Sequence, residues 1–184
     1  MAFNLIEELD NYNPIDDKEK ESLNKIKDFL NNNENCFSRT NLKGHITAGA
    51  LVIDKEGNVL LNHHKSLDKW LGFGGHSDGE SNSLNVAKRE VMEESGIVEI
   101  DDCEGKIFDV DVHVIPNNPA KKEPEHYHYD IRFLFIVNNK DFKISDESKE
   151  IKWINIEKAK ELVENKAILR MLEKAKQVYS SFCK

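Results

Sequence analysis

The chain is poor in cysteine, has no long apolar run and carries no surplus of basic charge, and each shortage removes a class of protein. Its three cysteines, Cys36, Cys103 and Cys183, are odd in number, far apart and without a CxxC pair. That excludes a disulfide framework and a thiolate zinc site, and leads us to expect a reducing cytoplasm. No stretch approaches the ~20 apolar residues that span a bilayer. The first residues, MAFNLIEELDNYN, are acidic and lack the basic-then-apolar order of a signal peptide. Lys and Arg number 26 against 34 Asp and Glu, a net charge of −8, so no general nucleic-acid binding is expected. An acidic protein still handles phosphates when cations bridge the two. At 39% hydrophobic and 33% charged over 184 residues, the composition is that of a folded, soluble chain able to bury a core.

Residues 1–44 read as an N-terminal helical extension and 45–184 as the main domain. In the extension, Asp16 or Asp17 caps a helix whose stripe is Leu23, Ile26, Phe29 and Leu30, and NNNEN at 31–35 ends it. The stripe suits packing against the domain or a homodimer contact. From His45 onward, 46–53 reads as a strand, DKEGN at 54–58 as a turn and 59–64 as a returning strand. A Gly-rich stretch from Gly72 to Gly79 precedes a helix at 82–95, with Leu84, Val86, Ala87 and Val91 inward and Gly96 as its C-cap. Strictly alternating strands follow at 107–115 and 126–137 around a loop at 116–125. A short strand at 151–155 then leads into a helical end. This order predicts an α+β fold, a mixed β-sheet sandwiched between helices.

The sharpest chemical signal is GGHSDGESNSLNVAKREVMEESGI at 74–97. On a helix, Glu90, Glu93 and Glu94 stand at i, i+3 and i+4 on one face. Like charges so close repel unless a cation sits among them, and hard oxygen-ligand divalent ions fit. Arg89 is placed to brace Glu80 or one of the helix acids.

This stretch resembles the signature box of the Nudix hydrolases: a Gly, five residues, a Glu, seven residues, then Arg-Glu-aliphatic-x-Glu-Glu-x-Gly-aliphatic. Arg89, Glu90, Val91, Glu93, Glu94, Gly96 and Ile97 match its second half. Gly74 and Glu80 keep the first spacing, but eight residues rather than seven separate Glu80 from Arg89, which we read as a one-residue loop insertion. The resemblance spans about 45–165. It implies an α/β/α sandwich and a metal-dependent hydrolase that cuts the diphosphate linkage of a nucleoside diphosphate joined to another group. By the same analogy Mg²⁺ or Mn²⁺ is held by Glu90, Glu93, Glu94 and Gly74, and Glu93, Glu94 and Arg89 serve catalysis. Some relatives take their base from a later loop, which here makes Asp146, Glu147 and Glu150 candidates, Glu147 foremost. Two alternatives stay open to weighing: an isopentenyl-diphosphate isomerase, disfavoured because no Cys lies between Cys36 and Cys103, and an inactive ligand sensor, disfavoured because all three helix acids are present.

A second constellation comes from strand alternation. Asp109, Asp111 and His113 share one face of their strand, and His126, His128, Asp130 and Arg132 share one face of the next. If the strands pair, this becomes a substrate wall, a further site for Mn²⁺ or Zn²⁺, or a solvated face. Arg132 can touch phosphate or pair with Asp109 or Asp111. Tyr127 or Tyr129 can stack on a base. His63, His64 and His76 flank the expected cleft and read as bystanders or hydrogen-bonding residues rather than catalysts, and Trp70 and Phe73 as packing beneath the Gly-rich loop.

Overall fold

Alternation along the run at Gly44–Asp54 (β1) sets the architecture. Ile46, Ala48, Ala50 and Val52 face one apolar cluster, and Leu51 and Ile53 the other, so this strand is buried on both faces as only a central strand is. The computed structural model describes residues 3–182, so Cys183 lies outside the described residues. The remaining strands are β2 (Asn58–His64), β3 (Lys69–Leu71), β4 (Phe73–His76), β5 (Asp109–Ile115), β6 (His126–Val137) and β7 (Ser148–Asn155). One edge of β1 pairs in parallel with β6 along its whole length, from Gly44↔Tyr127 to Asp54↔Val137. Its other edge is shared, with β4 opposite Thr47 to Ala50 and β2 opposite Val52 and Ile53. The seven-stranded sheet is therefore mixed, with β5 beyond β6 and with β3 and β7 on β2.

Helices cover both faces, as expected of an α/β/α sandwich. One face receives α2 (Asp17–Asn32) and α3 (Ser83–Ser95), whose Leu23, Ile26, Phe29, Leu84, Val86, Ala87 and Val91 join the cluster around Ile46 and Phe133. The other receives α4 (Ile156–Leu162) and α5 (Lys166–Phe182), through Ile156, Ala159, Met171, Leu172 and Ala175. The short α1 (Leu5–Asn11) adds Leu5 and Leu9 to the first cluster. The apolar stripe of α2 is thus consumed within the chain and is not left for a dimer contact. Tyr129 is spent in the same way, stacked on Phe29 at 4.0 Å between centroids. Among the described residues no helix is long and apolar enough to cross a membrane.

Two local expectations are corrected. The Gly-rich stretch is not all loop, because Phe73–His76 is a strand held by four pairings to β1. Phe73 is buried as expected, but Trp70 does not pack beneath the loop: it stacks on His63 at 4.9 Å with Lys152 Nζ 4.3 Å from its ring centre.

Much of the polar face of β5 and β6 is buried, with Asp109, Asp111, His126 and Arg132 shielded while the His113 side chain remains 41% exposed. Asp109 pairs opposite Arg132, Asp111 opposite Asp130 and His113 opposite His128. Asp109 has no exposed surface, and Arg170 from α5 holds it bidentately at 2.8 and 2.9 Å while also donating to the Val110 carbonyl. Lys174 approaches Asp109 at 3.4 Å and Glu19 at 2.6 Å. The equally buried Glu19 accepts from Tyr12 and from the Ile15 backbone. A buried carboxylate stripped of its cation is expensive. Arg170→Met is therefore expected to destabilise the fold by about 3 kcal/mol. Lys27→Ala, which breaks an exposed pair with Asp10, should change it by less than about 0.5 kcal/mol. The midpoint of urea unfolding at unchanged slope measures both.

Candidate active site

Helix α3 begins where Asn82 caps it by accepting from Asn85 N–H, and it ends at Gly96, whose φ of 72° is the left-handed conformation of a C-cap. Its apolar side is anchored on the sheet, which fixes the rotation of the acids. They share a sector but not an environment. Glu94 is 9% exposed, and the Glu90 side chain 12%, whereas the Glu93 side chain is 54% exposed.

Glu94 meets β2 and β4. Asn62 Nδ2 donates to its Oε2 at 2.9 Å, and the Gly74 N–H donates to its Oε1 at 3.1 Å. Burial pushes its carboxyl up to about 7 against the help of those two donors. Glu90 lies over Gly75, where any Cβ would stand 2.6–2.8 Å from the carboxylate, so only glycine leaves room for it. Its carboxyl is also raised, by burial first and then, against the opposing pull of Arg89, by the charges of Glu93, Glu147 and Asp78. Arg89 ties the arrangement together, bonding Glu90 at 2.8 Å, Glu93 at 3.4 Å and the His76 carbonyl at 2.8 Å. It does not reach Glu80, which instead accepts from the Asn82 N–H at 2.7 Å and steadies the helix entry.

The loop acids separate clearly. Glu147 is close enough for its charge to raise both Glu90 and Glu94. Its carbonyl accepts from Lys65 N–H at 2.8 Å, which pins the loop to the end of β2. Glu150 is turned toward Lys152 at 3.4 Å, and Asp146 is engaged through its carbonyl by Lys65 Nζ.

The second constellation lies on the opposite face of the sheet from α3. Arg132 is not free for phosphate: it is 9% exposed and bonds Asp130 at 2.6 Å, with Asp109 and Asp111 at 3.5 and 3.6 Å. Burial would raise Asp130, but Arg132 and His113 hold its carboxyl well below the usual range. Thr47 donates to the same group. His113 leans on Asp111 at 3.4 Å. Beyond these, His128 and His126 meet His45 and His76, with ring centres 4.8–5.2 Å apart for most pairs. His76 is therefore no bystander, unlike His63 beside Trp70 and His64, whose Nδ1 accepts from the Ser66 and Leu67 N–H groups. Burial holds the His45 ring down to about 4 and the His128 ring down to about 3, and lowers His76 in the same direction.

Two residues escaped the sequence reading. Asn62 is a lone polar residue in phase with Leu60, a visible but weak signal. His45 joins the cluster through the pairing of β1 with β6 and with β4, which no local pattern encodes.

Residues 43–174 match a family model described as the NUDIX domain. The chain belongs to the Nudix family. A Lactococcus lactis subsp. cremoris (strain MG1363) protein named "Probable DHNTP pyrophosphohydrolase" is 30% identical over 128 residues, covering 69% of this chain and 75% of that one. Among solved structures, a binary complex of a C. elegans Ap4A hydrolase superposes with a TM-score of 0.60 at 21% identity, covering 74% of this chain and 98% of that one. The E. coli dihydroneopterin triphosphate pyrophosphohydrolase does so with a TM-score of 0.55 at 15% identity, covering 74% and 95%. The protein is a Nudix-type diphosphate hydrolase. Its α3 acids offer only oxygen donors, with Glu90 and Glu94 desolvated, Glu93 exposed and Arg89 reaching Glu90 and Glu93, a set that suits a hard divalent cation.

The Glu94 environment has a testable thermodynamic cost. An ordinary Glu carboxyl titrates near 4.5, and this one near 7 in the folded chain. A raised folded value means that its contribution to stability is complete below about 4.5 and is lost as the pH climbs through about 7. With a chelator present, Glu94→Gln is expected to be about 1–3 kcal/mol more stable than wild type at pH 8 and equal to it near pH 4.5. Urea unfolding at the two pH values checks the sign.

Proposed function

We propose that this Nudix enzyme hydrolyses, with Mg²⁺ or Mn²⁺, the diphosphate linkage of a nucleoside diphosphate joined to another moiety. The observation that carries the reading is the convergence of Glu90 and Glu94, buried against the Gly74–Gly75 backbone, with Glu147 arriving from a separate loop. Glu90, Glu93, Glu94 and the Gly74 backbone would hold the cations, which when bound offset the diphosphate charge and lower the pKa of a water. Glu147, exposed and on a loop tied down through its own backbone, accepts the proton of the attacking water. Arg89 positions Glu90 and Glu93 against the backbone of β4 rather than touching the reacting atoms. Asn62 and the Gly74 N–H aim the Glu94 carboxylate.

In this reading residues 45–184 carry the chemistry, and 1–44 form a packing arm. The free thiols Cys36 and Cys103 suit the cytoplasm. The relatives' names widen the substrate class to organic di-, tri- and polyphosphates, a pterin triphosphate among them.

The test incubates the full chain and Mg²⁺ or Mn²⁺ with ADP-ribose, dinucleoside polyphosphates, nucleotide sugars, nucleoside triphosphates and dihydroneopterin triphosphate. Products are resolved by chromatography. Selective, metal-dependent cleavage is expected to collapse in Glu94→Gln, and Glu147→Gln should lower kcat by about 10²–10⁴-fold with little change in KM. Unchanged turnover in Glu94→Gln would refute the metal assignment, and no turnover of any substrate by folded, metal-loaded protein would favour a ligand-sensing role.

A further inference from the structure

We propose that His45, His76 and His128 form a second metal site, for a borderline transition ion of the Zn²⁺ or Co²⁺ class, independent of the carboxylates on α3. The three residues come from three strands. Register places His45 of β1 opposite His128 of β6, and Thr47 opposite His76 of β4. This brings one ligand atom of each within 4.8 Å of the others. A tetrahedral ion with bonds of ~2.0–2.1 Å needs ligand atoms ~3.4 Å apart, which small ring rotations supply.

The chain compensates the burial of these ring nitrogens only in part. His45 is 3% exposed, yet its ring has only the Asn41 backbone in reach and makes no aligned hydrogen bond, and the Nε2 of His128 is buried without a partner. Leaving a buried polar atom unpaired costs about 1–3 kcal/mol, and such atoms are rare in native folds. The rings do not satisfy one another either. A metal ion accepts ring-nitrogen lone pairs for which the chain supplies no aligned donor.

The surroundings are those of a ligand set. His126, 8% exposed, has its Nδ1 2.8 Å from the Pro124 carbonyl, which assigns that nitrogen the proton and leaves Nε2 bare. Its ring centre is 5.0 Å from that of His45, so it stands as a fourth ligand or a close neighbour. His76 and His128 are only half-buried, which gives an ion a way in. The neighbouring group Asp111, His113 and Asp130 also brings its ligand atoms within 4.8 Å, but the Arg132 guanidinium is already paired there, 2.6 Å from Asp130. Imidazole donors without a carboxylate select Zn²⁺, Co²⁺, Ni²⁺ or Cu²⁺ over Mg²⁺. An ion at this site ties β1, β4 and β6 together and stiffens the strand whose Gly74 and Gly75 receive the α3 acids from the other face.

The test uses tag-free, chelator-stripped full-length protein titrated with Co²⁺ in excess Mg²⁺. Visible absorption reports tetrahedral coordination. One Co²⁺ per chain is expected, with bands retained when Glu90→Gln and Glu94→Gln are combined and when Cys103→Ser removes the half-exposed thiol. His76→Gln and His128→Gln should each weaken binding by about 100-fold while leaving the metal-free circular dichroism unchanged. Zn²⁺ should raise Tm in wild type and not in either variant. Independently of any variant, Zn²⁺ should protect these histidines in the wild-type protein from diethyl pyrocarbonate. Absence of Co²⁺ binding, loss of binding with the α3 acids or with Cys103, or binding untouched in both histidine variants would each overturn the site.

Discussion

A carboxylate with no exposed surface at the sheet edge, Asp109, obliges the chain to bring cations to it, and much of the fold answers that demand. Arg170 and Lys174 arrive from α5 and Arg132 from the neighbouring strand. Because Lys174 also serves Glu19, the same cation anchors the N-terminal arm. The edge of the sheet, which would otherwise present an unpaired strand, is closed by charge pairing that an apolar helix face alone would not direct so specifically. Inward from Asp109, the paired layer continues through Arg132, Asp111 and Asp130 before giving way to histidines. The electrostatics therefore grade along one face from close ion pairs to imidazoles with unpaired nitrogens.

The two faces of β4 meet different chemistry. Toward α3, Gly75 leaves the backbone bare beneath the Glu90 carboxylate, and the Gly74 N–H donates to Glu94. Toward the opposite side it offers His76. Hard oxygen donors and softer nitrogen donors are thus separated by the thickness of one strand, and Arg89 touches that strand through the His76 carbonyl. Rigid backbone between the two sets keeps each from collapsing onto the other.

Much of the carboxylate site was legible because its information is local. The i, i+3, i+4 spacing of Glu90, Glu93 and Glu94, the glycine after the helix and the apolar stripe of Leu84, Ala87 and Val91 all sit within one short stretch, and the helix is where that pattern puts it. The unequal burial of the three acids was not legible, since it depends on how β2 and β4 approach the helix. Phe73–His76 escaped notice as a strand because glycine carries no strand signal, although the close approach of Glu90 is what requires glycine there. The polar face of β5 and β6 was visible by alternation. Its burial was not, because the cations that make burial tolerable come from α5, about 60 residues further on. His45 and His128 illustrate the same limit: 83 positions separate Thr47 from Asp130 in the adjoining pair, and only the parallel register brings those strands together.

The contact between Glu19 and Lys174 spans 155 positions of sequence. During synthesis Glu19 is made well before Lys174, and its carboxylate has no Lys174 to accept it until α5 has cleared the ribosome. Helix α2 can form locally before then, but its docking through Glu19 is uncompensated. The docking of α2 through Glu19 is therefore completed only once α5 is available, so closure of the domain waits on a contact of very long sequence separation.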